Sequence, residues 1–189
     1  MMKREDALAL IGEFITSESL IKHILAVEAG MIGYAKHYNE DVNKWSLAAL
    51  LHDLDFEKYP EHHPNKGAEI LKEKNVEKDV IEAILGHSDE TGVKRTTKMA
   101  KALYACDELS GFIIACALVR PSKSFEDLKT SSVKKKIKDK AFAKAVDRDI
   151  LKNGAKDMNL SLDEHITNMI EFLKIREREL NRESKSLLN

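Results

Sequence analysis

The stretch Leu47-Ala48-Ala49-Leu50-Leu51-His52-Asp53-Leu54-Asp55 ends a segment rich in apolar residues, predicted to be a helix over 42–54. A helix of this composition belongs in the interior of a helical bundle. The rest of the chain has the same character. Apolar residues recur at Ala7, Leu8, Ile11 and Ile15, then at Leu20, Ile24, Val27, Met31 and Tyr34 after a capping Thr16 or Ser17. Short helices are expected over 66–74 and 77–85, the second stopping at Gly86. The longest apolar helical run spans 96–119 and is closed by Arg120-Pro121. Two further helices are predicted, over 141–151 and 161–179, and Ser161-Leu162-Asp163-Glu164 supplies a capping box for the last. No stretch alternates with period two long enough to be a strand. The fold class is all-α.

Charged residues make up 33% of the 189 and aromatics 6%, a balance that suits amphipathic helices. The length fits one domain: a helical core over 1–121, then a basic segment and C-terminal helices over 122–189 packed on the same domain. A net charge of −1 offers nothing to draw nucleic acid or an anionic membrane. The lysine run Lys134-Lys135-Lys136 reads as an exposed face. No apolar run approaches the roughly 18–20 residues of a membrane span, and Met1-Met2-Lys3-Arg4-Glu5-Asp6 makes a poor signal peptide. Cys106 and Cys116 share one helix about 15 Å apart, too far for a disulfide. They read as buried thiols of a cytoplasmic protein.

Several polar residues sit where the helical pattern expects apolar ones. His23 shares a face with Leu20, Ala26, Val27 and Gly30, so it is either a core histidine with a satisfied partner or a ligand. Asp107 follows Leu103 and Tyr104 and precedes Gly111 and Ile114. A carboxylate on such a face needs a salt bridge or a cation, and no basic residue lies within one turn. His52 and Asp53 point about 100° apart, so both reach one ion only over the helix edge or end. His63 and His87 stand at helix boundaries, where each alone reads first as an ordinary loop histidine. His37 is about 21 Å along the axis from His23 and cannot share a site with it. His62 is unassigned, and His165, in the last helix, reads as structural.

The ordered set His23 … His52-Asp53 … Asp107 resembles the H…HD…D metal-binding pattern of the HD superfamily of phosphohydrolases. His63 and His87 fall where the dinuclear HD subgroups, HD-GYP and HDIG-type proteins among them, carry two extra histidines. His63-Pro64-Asn65-Lys66-Gly67-Ala68-Glu69 resembles their HPxxGAE element. Over nearly its whole length the chain also resembles small proteins described only as predicted HD-superfamily hydrolases. The resemblance there rests on 51–58, on Ala117-Leu118-Val119-Arg120-Pro121-Ser122-Lys123-Ser124 and on 133–136. Leu54-Asp55 replaces the Ile-Gly of the HDIG motif. The GYP element of cyclic-di-GMP phosphodiesterases is absent, which argues against that substrate.

The resemblance implies a metal-dependent hydrolase of a phosphomonoester or phosphodiester bond in a small molecule, with a nucleotide as the leading candidate. Its metal ligands are His23, His52, Asp53, His63, His87 and Asp107. Imidazole and carboxylate donors suit one or two Mn, Fe, Co, Ni or Zn ions, with Mg also open. If a second ion binds, Asp53 is the natural bridge. Asp53 and Asp55 are the catalytic candidates, Asp55 as orienter of water or acceptor of its proton. Lys66, Arg120 and Lys123 are candidates for gripping substrate phosphate, and Lys94-Arg95 could serve too. A non-catalytic module that senses a nucleotide or second messenger is the alternative. A helical bundle stabilised by metal is a third reading.

Overall fold

In the computed structural model, which describes residues 2–189, nine α-helices, two single 3-10 turns and no strand are present among the described residues. The helices are α1 (Arg4–Phe14), α2 (Glu18–His37), α3 (Val42–Leu51), α4 (Asn65–Glu73), α5 (Lys78–Leu85), α6 (Lys98–Leu118), α7 (Thr130–Lys138), α8 (Arg148–Asp157) and α9 (Leu162–Arg182). Five of them open on a side chain that caps a free backbone N–H, α8 among them through Asp147. Ser17 accepts from the Leu20 N–H, Asp41 from Asn43 and Lys44, Thr97 from Ala100, and Ser161 from Glu164.

The long helices α2 and α6 form the middle of the bundle. Helix α3 lies along α2, with α1 and α5 on its other sides, while α8 packs on α6 and α9 on α2. Ile24, Val27, Met31 and Tyr34 of α2 meet Leu50, Leu103 and Phe112 in the core, all at 1% exposure or less. Helix α3 is buried on every side, from Trp45 to Leu51, as its composition requires. Helix α8 reaches α6 through Gly154, where a Cβ would stand 2.7 Å from the Ala105 Cα.

Three boundaries differ from the sequence reading. Helix α3 ends at Leu51, and residues 52–58 form tight turns rather than a last helical turn. The basic segment contains a helix of its own, α7, pinned by fully buried Val133 and by a 2.7 Å ion pair from Lys134 to Asp163. The helix expected over 141–151 instead begins at Arg148. Ala143 has φ of +43°, which no helix accommodates. The Arg148 guanidinium then donates to the carbonyls of Phe142, Ala143 and Val146, closing the turn, and Asp147 caps the new helix through the Asp149 N–H. Both cysteines are buried free thiols on α6, and burial pushes Cys116 up to about 12. No helix is long and apolar enough to cross a membrane among the described residues.

Candidate metal centre

Five segments of the bundle converge on one point. His23 comes from the middle of α2, and His52 and Asp53 from the residues where α3 gives way to a turn. His63 follows the 3-10 turn Pro60–His62, His87 follows α5, and Asp107 comes from the first half of α6. Their donor atoms fall into two groups. His23, His52 and Asp107 form one, and Asp53, His63 and His87 the other, with the atoms of each group within 4.8 Å of one another. The carboxylate of Asp53 divides between them. Its Oδ2 stands 3.3 Å from His52 Nε2 and 3.6 Å from His23 Nε2, while its Oδ1 stands 3.5 Å from His63 Nε2 and 3.8 Å from His87 Nε2. Asp107 Oδ1 lies 2.9 Å from His23 Nε2 and 3.5 Å from His52 Nε2.

The far nitrogens of three rings are held by acceptors. His52 Nδ1 faces the Ala49 carbonyl at 2.7 Å, His87 Nδ1 faces the Ile84 carbonyl at 2.5 Å, and His63 Nδ1 faces Asp55 Oδ1 at 2.8 Å. Each acceptor takes an N–H, so the proton of the neutral ring sits on Nδ1 and the Nε2 lone pair points inward. Two consequences follow. His63 Nε2 and His87 Nε2 stand 3.1 Å apart, two lone pairs facing each other. His52 Nε2 is fully buried and has no hydrogen bond, although both carboxylates are near. Buried polar atoms are ordinarily satisfied. A cation at each group supplies what these atoms lack, and carbonyls or carboxylates behind ligating imidazoles are the usual support of a metal site. The residues present fit divalent metal.

The electrostatics agree. Burial would raise the Asp107 carboxyl, but the close contact with His23 and the charge of His52 and His23 hold it well below the usual range. Burial likewise opposes ionisation of Asp53, and His52 outweighs it, bringing Asp53 to about 2. Burial pulls His52 down, yet Asp53 and Asp107 together draw it well above its ordinary value. The two carboxylates attract positive charge to this spot, whether proton or metal. His87 is lowered by burial and stays neutral, as a ligand must.

The centre opens into a cleft of about 630 Å³ walled by Leu20, Phe56, Tyr104, Val146 and Ile150. A groove of about 730 Å³ between α4, α5 and the start of α6 is larger, but it holds no convergent histidines or aspartates and is not the site. Asp55, read from the sequence as an orienter of water, does not hold that position. It is fully buried, and its oxygens are taken by His63 Nδ1 and by the Gly67 N–H at 2.6 Å. It positions His63 instead. Gly67 is needed for that approach, since a Cβ there would meet the Asp55 carboxylate at 3.1 Å. Lys66, Arg120 and Lys123 are not among the residues that line the cleft. Lys66 pairs with Glu69 at 2.8 Å, Arg120 pairs with Asp127 at 2.6 Å, and Lys123 is exposed beyond the far end of α6. Arg95 is tied to Asp89 and Asp157, and Lys94 lines the other groove. His37 is exposed and away from the cluster.

Sequence reasoning missed Glu108. It lines the cleft beside Asp107, and burial together with the Asp107 charge pushes its carboxyl up to about 7. The sequence signal was a second acid immediately after Asp107 in α6.

A helical bundle gathered around a histidine–aspartate centre of this kind defines a class of metal-binding domain. Residues 20–111 match the family model of the HD domain, a span that starts in α2, ends in α6 and encloses all six candidate ligands. Over that span, a little under half of the chain, the protein is similar to HD domains, which are in general metal-dependent phosphohydrolases. Two curated relatives, both named ribonuclease Y and both from Nitratidesulfovibrio vulgaris (strains DP4 and Hildenborough), are each 31% identical over 115 residues. The match covers 56% of this chain and 21% of each relative, so the chain spans about a fifth of their length. No solved structure matches it significantly.

Proposed function

We propose that this chain hydrolyses a phosphomonoester or phosphodiester bond in a small molecule, a nucleotide being the leading candidate. The observation that carries the reading is the inward set of unpartnered lone pairs, above all His52 Nε2, gathered around two carboxylates. His23, His52 and Asp107 would hold one ion, His63 and His87 a second, and Asp53 would bridge them. The donor set suits Mn, Fe, Co, Ni or Zn. When bound, the metal would polarise the phosphoryl group and make water a stronger nucleophile. The chain's own residues do the rest. Ala49, Ile84 and Asp55 keep the three imidazoles in one tautomer and aim. Glu108, at about 7, is suited to hold or release a proton at the cleft wall near neutral pH. Residues after 121 complete the site, because Val146, Asp147 and Ile150 wall the cleft.

The relatives' name raises RNA as a substrate. The cleft opposes it, since no lysine or arginine is among its lining residues to follow a phosphate backbone. The test is a panel of phosphomonoesters, phosphodiesters, nucleotides and short RNA, with Mn²⁺, Co²⁺ or Ni²⁺ added to the full chain. Turnover of a small phosphate ester that is lost in Asp53→Ala supports the reading. Metal binding with tight nucleotide binding and no turnover would favour a sensor.

A further inference from the structure

The cleft has an uneven charge balance. Six carboxylates line it (Asp53, Asp89, Glu90, Asp107, Glu108 and Asp147), and no lysine or arginine does. Asp53 and Asp107 face the histidines. The other four stand on the walls and rim, on the connection after α5, on α6 and at the start of α8. Arg95 comes close to the cleft, with its guanidinium 3.6 Å over the Tyr104 ring. It is already engaged, at 2.6 Å from Asp89, 3.2 Å from Asp157 and 3.1 Å from the Gly86 carbonyl. Glu90 and Asp147 are exposed, and only one oxygen of Asp147 is used, in capping α8.

Resting on the hydrolase reading, the geometry points to a substrate with a single phosphate group on a body that offers hydroxyl or amino donors, preferred over its diphosphate and triphosphate counterparts. The positive charge of a loaded site lies only at its floor, among the histidines. A single phosphate reaching that floor is matched there. Every further phosphate must extend along walls that carry Glu90 and Asp147 and no compensating cation, so added negative charge meets like charge. Ionised carboxylates only accept hydrogen bonds. They reward hydroxyl and amino groups on the rest of the substrate, and exposed Phe56 with Ile150 covers its apolar surface.

The test uses the metal-loaded full chain with the 5′-mono-, di- and triphosphates of adenosine and deoxyadenosine, metal being held in excess of nucleotide. Calorimetric binding of non-hydrolysable phosphonate analogues of the mono- and triphosphate gives a readout independent of turnover. The expected result is a kcat/KM about tenfold or more higher for the monophosphate, with tighter binding of its analogue. The double variant Glu90→Gln, Asp147→Asn should narrow that ratio by about threefold, because loss of two wall charges relieves the triphosphate more than the monophosphate. A merely structural role for these residues would lower both substrates together. Equal or better use of the triphosphate would overturn the inference and leave the hydrolase reading standing. No hydrolysis and no analogue binding across the series would overturn both.

Discussion

Asp55 shows how far identity and spacing carry at the scale of one residue. Two positions after a ligand, it has the chemistry of a base, but burial and its two partners make it the support of His63. Asp55→Asn should therefore weaken one of two metal sites by about 10–100-fold and leave the other in place, as read by Mn²⁺ titration calorimetry. Unchanged metal affinity with a lost limb in the pH–rate profile would return Asp55 to the role of base. His23 and Asp107 were legible because each breaks an apolar face, a conflict that a cation resolves. The phosphate contacts expected of Lys66, Arg120 and Lys123 were not, because a basic residue next to a motif in sequence can point anywhere in space. Those three found local partners or solvent instead.

Helix packing sets its own tests. His165 of α9 is fully buried, with Nδ1 at 2.6 Å from the Tyr34 hydroxyl and Nε2 at 2.9 Å from the Ala105 carbonyl. Nε2–H donates to the carbonyl, so Nδ1 accepts from Tyr34, and this joins α2, α6 and α9 through a neutral ring. Burial lowers His165 to about 4, below the roughly 6.5 of an unfolded histidine. The folded state thus refuses a proton that the unfolded state takes. The stability held by the neutral ring is present above about pH 6.5 and is lost as pH falls toward 4, by about 3 kcal/mol in all. Urea unfolding at pH 7, 6 and 5 should show this slope in the wild type and a shallower one in His165→Gln. Gly154→Ala sets two effects against each other. Alanine favours the helix by about 1 kcal/mol, but its Cβ would strike the Ala105 backbone. Overpacking of that kind costs about 1–3 kcal/mol, so a net loss of up to about 2 kcal/mol is expected in urea unfolding. The boundaries of α8 were illegible because they depend on Arg148 closing a turn with backbone carbonyls, which no periodicity reports.

For the whole molecule, Glu28 ties the bundle together outside the candidate metal centre. It is fully buried and takes two hydrogen bonds from Arg4, at 2.6 and 2.8 Å, one from Ser46 at 2.6 Å, and a longer contact from Arg176 at 3.4 Å. Those partners come from α1, α3 and α9. Removing one member of a buried pair usually costs 3–5 kcal/mol, and half-exposed Arg4 can turn to water. Glu28→Ala should therefore cost roughly 2–4 kcal/mol in thermal unfolding, with Glu28→Gln in between. The all-helical fold was legible in the 3.6-residue stripes and the scarcity of Gly and Pro. The acidic cleft was not, because the carboxylates of its walls come from three segments far apart in sequence.

The central claim is that His23, His52, Asp53, His63, His87 and Asp107 form one metal centre bridged by Asp53. It is tested most directly by metal content per chain, measured by plasma mass spectrometry after equilibration with Mn²⁺ and removal of free ion. The account predicts up to two ions in the wild type and none in a folded Asp53→Ala chain. A wild type that holds no metal, or an Asp53→Ala chain that keeps its full complement, would contradict it.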